Sequence, residues 1–197
     1  MQAKDILPTV LSVVALCVSG FSLYESSLKA PDLSLYVAPR IDYVDPDRPE
    51  AVREVFILPI TIANDGARGA TVLSIDLEVA DTRATKVKRF QAARLGSWGE
   101  TPLKPFAPVM LAGKAIFTQT LQFEPRPGET VPQVMSMEPG RYRFVLSLTT
   151  ASPGGSASPT PLRFEMEAGA MDYRMFQGNG TMAMWSPSPQ AAATTPR

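Results

Sequence analysis

From residue 33 onward, apolar residues alternate with polar residues at a period of two, which is the pattern of β-strands that bury one face. Several segments show this alternation clearly. Their predicted core-facing residues are Leu33, Leu35 and Val37; Phe56, Leu58, Ile60 and Ile62; Leu73, Ile75, Leu77 and Val79; Phe117, Leu121 and Phe123; Tyr142, Phe144, Leu146 and Leu148; and Leu162, Phe164 and Met166. A weaker segment at residues 85–91 raises the expected number of strands to about seven. No amphipathic helix is predicted in this part of the chain.

Two features of these segments bear on strand pairing. Pro59 lies on the face opposite the apolar residues of its segment, and because proline has no N–H to donate, it indicates a sheet edge or a bulge. The outward positions of the last two segments carry Arg141, Arg143, Arg163, Glu165 and Glu167. Opposite charges can face each other across a hairpin. We therefore expect the last two strands to form a hairpin, joined by a loop over residues 151–160.

The strand pattern predicts an all-β domain with two packed sheets, because a single open sheet would leave its apolar face unburied. Three stretches support this prediction: residues 58–66 (LPITIANDG), 111–114 (LAGK) and 139–144 (PGRYRF). On these stretches, residues 33–168 resemble bacterial membrane-anchored immunoglobulin-like and fibronectin-III-like β-sandwich domains. The resemblance implies a single immunoglobulin-like antiparallel sandwich of about seven strands, preceded by one transmembrane helix. Fold alone assigns no function.

The N-terminal segment has a different pattern. The run from Ile6 to Tyr24 is uncharged and mostly apolar, and as a helix rising about 1.5 Å per residue it would span roughly 28 Å, close to the hydrocarbon thickness of a bilayer. We predict a flank over residues 1–5, a transmembrane helix over 6–26 and a linker over 27–32. The positive-inside rule does not decide the orientation; we favour a cytoplasmic N-terminus and an extracytoplasmic domain.

Small side chains recur along this segment at spacings of three and four, and on a helix they form one stripe: Ser12, Ala15, Ser19 and Ser22. Such a stripe lets another helix approach closely in lipid, so a helix partner is expected. The alternative is that small residues are simply common in export signals. The segment itself has two alternative interpretations, a signal peptide cleaved near residue 20 or a lipoprotein signal ending at Cys17.

Composition restricts the chemistry. Nineteen Lys and Arg balance nineteen Asp and Glu, so the chain lacks the basic field that nucleic-acid binding requires. There is no His, and Cys17 is the single Cys, which excludes Ser-His-Asp and Cys-His catalysis, Cys-rich zinc sites and intrachain disulfides. We predict no enzymatic activity and no cofactor; a carboxylate-only enzyme, such as a glycosidase, is a further hypothesis.

One acidic segment of the sequence has the residue types of a metal site. It contains Asp42, Asp45, Asp47 and Glu50, whose oxygens suit Ca²⁺. The spacing matches no EF-hand, and arginines are interleaved with the acids. We therefore predict a solvated, internally paired loop and no metal site.

Two segments carry candidate partner contacts. Residues 92–113 lack clear periodicity and contain Trp98, Pro102, Pro105, Phe106 and Pro108. The prolines recur every three residues, so they could align on one face of a polyproline II helix and dock a partner. The alternative is a crossover whose Trp and Phe complete the core.

The second segment is residues 169–185, with Met175, Phe176, Met182, Met184 and Trp185. It is predicted to be either a docking segment or the last strand, because Met and aromatic residues form adaptable interfaces. Residues 186–197 are expected to be a disordered tail.

Together these features predict a non-enzymatic accessory or structural subunit of a membrane protein complex in a bacterium. The helix would contact integral membrane subunits and the lipid bilayer, with the sandwich on the periplasmic surface. The alternative function is a membrane-tethered binding module that captures a soluble ligand or peptide through its loops.

Overall fold

The computed structural model describes residues 3–45, 54–83, 87–126, 135, 137–152 and 159–187. Helix α1 (Ala3–Leu23) continues as a π-helical turn, Tyr24–Leu28. Eleven strands follow in the described part of the chain: β1 Leu33–Val37, β2 Arg40–Val44, β3 Val55–Asn64, β4 Ala70–Asp81, β5 Val87–Gly96, β6 Lys104–Pro105, β7 Val109–Leu111, β8 Ile116–Pro125, β9 Gly140–Ala151, β10 Leu162–Ala168 and β11 Thr181–Trp185. Helix α2 (Ala170–Asn179) lies between β10 and β11.

Eight strands form a closed antiparallel barrel in the order β5, β8, β3, β2, β11, β10, β9, β4, and the pairing of β4 with β5 closes the ring. The prediction of an immunoglobulin-like sandwich of about seven strands is therefore wrong, and so is the implied family resemblance. Alternation records only that each strand buries one face, which a sandwich and a barrel both satisfy. The remaining strands are additions to the ring: β1 pairs with β3, β6 with β5 and β7 with β4.

Strands β1 and β2 lie end to end along β3, with a register change between them. Val37 pairs with Ile60, whereas Asp42 pairs with Ile57. The β1–β2 segment therefore contains two more residues between these pairs than β3 does. The Ala38 N–H donates to the carbonyl of Pro59 at 3.0 Å. The irregularity thus lies opposite Pro59. Because β3 has paired strands on both sides, the structure fits the bulge and not the sheet edge among the two predicted alternatives.

The hairpin of the last predicted segments is also confirmed. Strands β9 and β10 pair so that Arg141 faces Glu167 and Arg143 faces Glu165. Their side chains form ion pairs with N···O distances of 3.6 and 3.9 Å. These cross-strand pairs therefore match the charge pattern of the sequence.

Leu73 corrects a detail of the predicted pattern. The alternation predicts that it faces the core together with Ile75, but an irregularity between Val72 and Ser74 shifts the register of β4. Val72 is consequently buried and Leu73 exposed. One extra residue in a strand reverses the facing of the residues before it.

Helix α2 was not predicted. Its ten residues contain no buried side chain, and only Tyr173 and Phe176 pack against the core, so its apolar pattern is weak. Gly180 ends the helix in the left-handed conformation (φ 71°), and its N–H donates to the Phe176 carbonyl at 2.7 Å. The strand that follows, β11, completes the ring between β2 and β10.

Aromatic side chains pack against one another inside the barrel, toward the end where β3 begins. The Phe56 ring lies 5.0 Å from the ring of Tyr43, 4.9 Å from Phe90 and 5.7 Å from Phe144, measured between centroids. An eight-stranded barrel is just wide enough for its interior to be filled by side chains. This packing makes the barrel a solid core rather than a channel.

Helix α1 lies outside this core. Its described side chains, from residue 8 onward, are almost all exposed. Among the described residues, the segment Pro8–Leu28 is the one helix long and apolar enough to cross a membrane, a property it shares with signal sequences.

Candidate functional site

Strand β3 has a polar residue at each end of its buried face. Along this face Phe56, Leu58, Ile60 and Ile62 are apolar, and the same alternation reaches Glu54 just before the strand and Asn64 at its last residue. Both polar side chains are buried. Buried polar groups must find hydrogen-bond partners, so these two residues mark where the ends of the barrel are organised.

The Asn64 amide makes hydrogen bonds to three separate segments. Its Oδ1 accepts the N–H groups of Asp32 (3.1 Å) and Gly66 (3.0 Å), and its Nδ2 donates to the carbonyls of Arg68 (2.9 Å) and Ala112 (3.0 Å). An Asn side chain offers two donor hydrogens and an acceptor oxygen with two lone pairs, so its capacity is fully used. One amide therefore joins the linker after α1, the β3–β4 loop and the β7–β8 turn.

Backbone contacts reinforce this connection. The Lys29 carbonyl accepts the N–H groups of Ala67 (3.1 Å) and Arg68 (3.0 Å), one residue after the π-helical turn ends. A Cβ on Gly66 would collide with the Ala30 carbonyl oxygen, so only glycine permits this approach. We call Lys29–Asp32 together with residues 64–68 and 112–114 the anchor junction; it leaves no free linker between α1 and the barrel.

The opposite end of the barrel is closed by a charged cluster. The Glu54 carboxylate pairs with the Lys88 ammonium and accepts hydrogen bonds from the Tyr43 hydroxyl (3.1 Å) and the Met135 N–H (3.0 Å). Helix α2 covers the same end, with its Phe176 ring 5.8 Å from the Tyr43 ring. We call Glu54, Lys88 and Tyr43 the far-end cluster. The buried Glu54 carboxylate therefore has a cation and two hydrogen-bond donors around it inside the barrel mouth.

A tyrosine next to this end forms a second local bond system. The buried Tyr142 hydroxyl donates to the Glu138 carbonyl (2.7 Å) and accepts the Glu138 N–H (2.8 Å). Burial raises the pKa of Tyr142 above its usual value, with the Glu138 backbone bond acting in the opposite direction. Nearby, a hydrogen bond from Arg83 lowers the pKa of Asp81.

Two exposed tryptophans meet around an arginine on the outer wall. The Arg40 guanidinium lies 6.0 Å from the Trp98 ring centroid and 5.4 Å from the Trp185 ring centroid. Arg40 Nε also donates to Asp42 Oδ1 at 3.1 Å. Trp98 remains 54% exposed and Trp185 47%. We call Arg40, Trp98 and Trp185 the Trp–Arg–Trp cluster; it brings together predicted contact residues from two distant segments.

The other predicted contact residues are placed differently. Pro102, Pro105 and Pro108 are exposed along a segment that includes β6, whereas Phe106 is half-buried against the core. Met175 is exposed on α2, and Phe176 of the same helix packs on the core. Met182 and Met184 are fully buried inside the barrel as residues of β11. The stripe residues Ser12, Ala15, Ser19 and Ser22 are all exposed on α1.

The acidic loop is described only in part. Asp42 lies in strand β2 and not in a loop as predicted, and it is paired with Arg40. The Asp45 N–H donates to the Gly180 carbonyl at 3.0 Å. Asp47 and Glu50 lie outside the described residues. Within the described ranges, no three His, Cys, Asp or Glu side chains come close enough together to hold a metal ion.

The sequence reasoning missed Asn64, Glu54 and Arg40. The first two were detectable, because the alternation of β3 continues through both and places polar side chains on the buried face. Arg40 carried no comparable signal, since an exposed Arg at the start of a strand is ordinary.

No protein-family model matches the sequence, and no curated protein matches it. Among solved structures, an ApaA protein from Bordetella pertussis is similar over 81% of this chain and 97% of its own, at 18% identity and a TM-score of 0.37. A structural genomics target solved by X-ray crystallography covers 68% of this chain and 84% of its own (16% identity, TM-score 0.36). A FixG-related protein from Vibrio parahaemolyticus covers 68% and 94% (10% identity, TM-score 0.30). At these TM-scores the similarities carry no argument about family or function.

Proposed function

We propose that this chain is a non-enzymatic accessory subunit of a membrane protein complex, anchored by α1, with its barrel on the extracytoplasmic surface. The observation that carries the proposal is the Trp–Arg–Trp cluster. Tryptophan and arginine, with tyrosine, are enriched among the residues that dominate binding energy at protein interfaces. Here two half-exposed indoles flank one guanidinium.

The cluster is also pre-organised. Arg40 is held by Asp42 at 3.1 Å and by two aromatic rings, so its side chain has already lost much of its rotational freedom. Ordering long side chains is one of the main costs of association. A partner that docks here would therefore meet a fixed surface.

Helix α1 supports the membrane part of the proposal. Its stripe of Ser12, Ala15, Ser19 and Ser22 is exposed rather than packed on the barrel, so it is free to contact a second helix in lipid. The absence of His, and the confinement of the single Cys to α1, support a non-enzymatic role.

Site-specific photocrosslinking in native membranes tests the docking surface. A photoreactive residue at Ser97 or Pro187 lies beside the cluster and leaves both tryptophans intact, and Val87 is an exposed control position away from it. We expect adducts with one integral membrane protein from positions 97 and 187, and none from 87. The double variant Trp98→Ala/Trp185→Ala should abolish them without altering the melting temperature.

Two results would contradict the proposal. One is equal crosslinking from all three positions. The other is a monomeric mass in mild detergent together with no adduct at all. Adducts that disappear when membranes are washed free of soluble material would instead favour the tethered module that captures a soluble ligand.

The extracytoplasmic placement needs its own measurement. Reporter proteins that are active only in the cytoplasm or only outside it can be fused to the C-terminus of the full chain. We expect activity of the external reporter alone, and activity of the cytoplasmic reporter would reverse the orientation.

A further inference from the structure

The anchor end of the barrel carries two unusually exposed apolar side chains. Met110 is 80% exposed and Ile116 is 72% exposed, more than any other large apolar side chain described outside α1. Both lie on the outer face of their strands, since their neighbours Leu111 and Phe117 pack on the core. Single exposed apolar residues are common on protein surfaces, so their position is what matters.

Both residues lie beside the anchor junction. Ile116 begins β8 and pairs with Ala63, the neighbour of Asn64. Met110 is on β7 and pairs with Thr71, three residues after Arg68. A strand rises about 3.3 Å per residue, so each side chain starts within roughly 10 Å of the junction along its strand.

The junction fixes this end of the barrel relative to α1. The π-helical turn ends at Leu28, and the next carbonyl, that of Lys29, is already bonded to Ala67 and Arg68. No flexible linker lets the barrel stand away from the helix. Where α1 leaves the hydrocarbon, the adjoining rim of the barrel therefore lies in the polar interface, which is about 5–7 Å thick on each side of a bilayer.

From this geometry we infer that the anchor end of the barrel contacts lipid directly, with Met110 and Ile116 inserted into the interface of the leaflet from which α1 emerges. The inference rests on the proposed function only in requiring that α1 spans the membrane. It adds a second membrane contact, made by strands, to the one made by the helix.

The charges around this rim specify the kind of lipid. The exposed cations Arg68 and Lys114 are balanced by the exposed acids Asp32 and Asp65, and Lys29 is paired with Glu25 at 3.4 Å. Because the positive and negative side chains of the rim balance, the rim gains no net electrostatic attraction to an anionic membrane surface. The contact is therefore apolar, and a bilayer of phosphatidylcholine alone suffices for it.

Spin labels on the full chain in phosphatidylcholine nanodiscs test this inference. In a Cys17→Ser background, a single cysteine that carries the spin label replaces Met110, Ile116, Leu73, Val87 or Val14. The collision rate of each label is measured with oxygen, which concentrates in lipid, and with a water-soluble nickel chelate, and the ratio of the two rates is compared between positions. All five side chains are exposed, so the fold is retained. Val87 is the matched control, because it begins β5 at the end of the barrel away from the junction.

We expect the oxygen-to-nickel ratio at positions 110 and 116 to exceed that at 87 several-fold, with 73 intermediate and 14 the highest. Adding phosphatidylglycerol should leave these ratios unchanged. Equal ratios at 110, 116 and 87, with a lipid-buried label at 14, would overturn the inference while the anchor stands. A water-exposed label at 14 overturns the anchor and this inference with it.

Discussion

At each end of β3 a buried polar side chain needs hydrogen-bond partners, and the two ends supply different kinds of partner. At the anchor junction, a neutral amide, Asn64, binds four backbone groups from three segments. At the far end, a charged carboxylate, Glu54, binds mainly side chains: the Lys88 ammonium and the Tyr43 hydroxyl, with one backbone N–H from Met135. About ten residues, or roughly 33 Å, separate the two along one strand.

The difference shows what each end is built to hold. Backbone groups are fixed by their chains, so an amide that binds only backbone fixes the relative positions of whole segments. Long side chains can adjust, so an ion pair closes a barrel mouth without dictating where the surrounding loops run. The backbone-bound end is the one joined to α1, so its hydrogen bonds fix the position of the helix relative to the barrel.

The largest effect is expected at the anchor junction. Asn64→Ala leaves the N–H groups of Asp32 and Gly66 and two carbonyls without partners, and each unsatisfied group costs about 1–3 kcal/mol when water cannot reach it. We predict a loss of about 3–5 kcal/mol in the free energy of unfolding. Denaturant unfolding of the full chain in detergent measures it. The adjacent exposed residue supplies the control: Asp65→Ala should change stability by less than about 0.5 kcal/mol.

The far-end cluster should give the next largest effect, with a different signature. Glu54→Gln removes the buried carboxylate that pairs with the Lys88 ammonium, which we expect to cost about 3 kcal/mol, because breaking a buried ion pair from one side is strongly destabilising. Adding Lys88→Met should restore more than half of that loss. No such second-site rescue exists for Asn64. If Lys88→Met made Glu54→Gln worse, the ion pair would not be the main interaction at this end.

Tyr142, next to the far end of the barrel, should make the free energy of unfolding depend on pH. Its pKa is raised in the folded protein, so the folded state holds this proton more tightly than the unfolded state does. The stability it contributes is complete below the unfolded value of about 10 and is lost as pH rises through the folded pKa. Tyr142→Phe should cost about 1–2 kcal/mol at pH 7 and flatten the fall in stability above about pH 10. An unchanged alkaline slope would contradict this assignment.

The smallest effect is expected at the exposed ion pairs of the β9–β10 hairpin. Arg143 and Glu165 are 3.9 Å apart and both face solvent, so Arg143→Ala should change the free energy of unfolding by less than about 0.5 kcal/mol. The same unfolding assay applies. A loss comparable to that of Glu54→Gln would mean that burial does not separate the important charges from the unimportant ones.

The strands were predictable from the sequence, whereas the closure of the ring was not. Alternation over Phe56 to Ile62 records which face of β3 is buried, and that information is local. The pairings of β4 with β5 and of β2 with β11 leave no comparable trace, because edge residues of a sandwich and paired residues of a barrel have the same alternation.

The stretch 139–144 contains a local motif that does not determine the fold. The Tyr142 hydroxyl does bind the backbone four residues upstream, as a conserved tyrosine does in immunoglobulin-type sandwiches. This tyrosine–backbone contact stabilises the turn before β9, but it does not determine how the strands are ordered in the sheet. Resemblance on such stretches reports local structure only.

The site was partly predictable. The sequence indicates Trp98 through its aperiodic, proline-containing segment and Trp185 through its Met- and aromatic-rich segment, but nothing in it indicates that the two meet at Arg40. Burial of Asn64 followed from alternation; its partners did not, since Asp32 and Ala112 are distant along the chain.

If the anchor junction holds α1 and the barrel as one body, a distance distribution between them shows it most directly. In a Cys17→Ser background, spin labels at Leu23 and Val87 place one probe at the end of α1 and one at the end of the barrel away from the junction. A rotation of the barrel relative to α1 changes the distance between two such distant probes the most. In lipid nanodiscs we predict a single narrow distribution that Asn64→Ala broadens. A broad distribution in the unsubstituted junction would contradict this rigid connection.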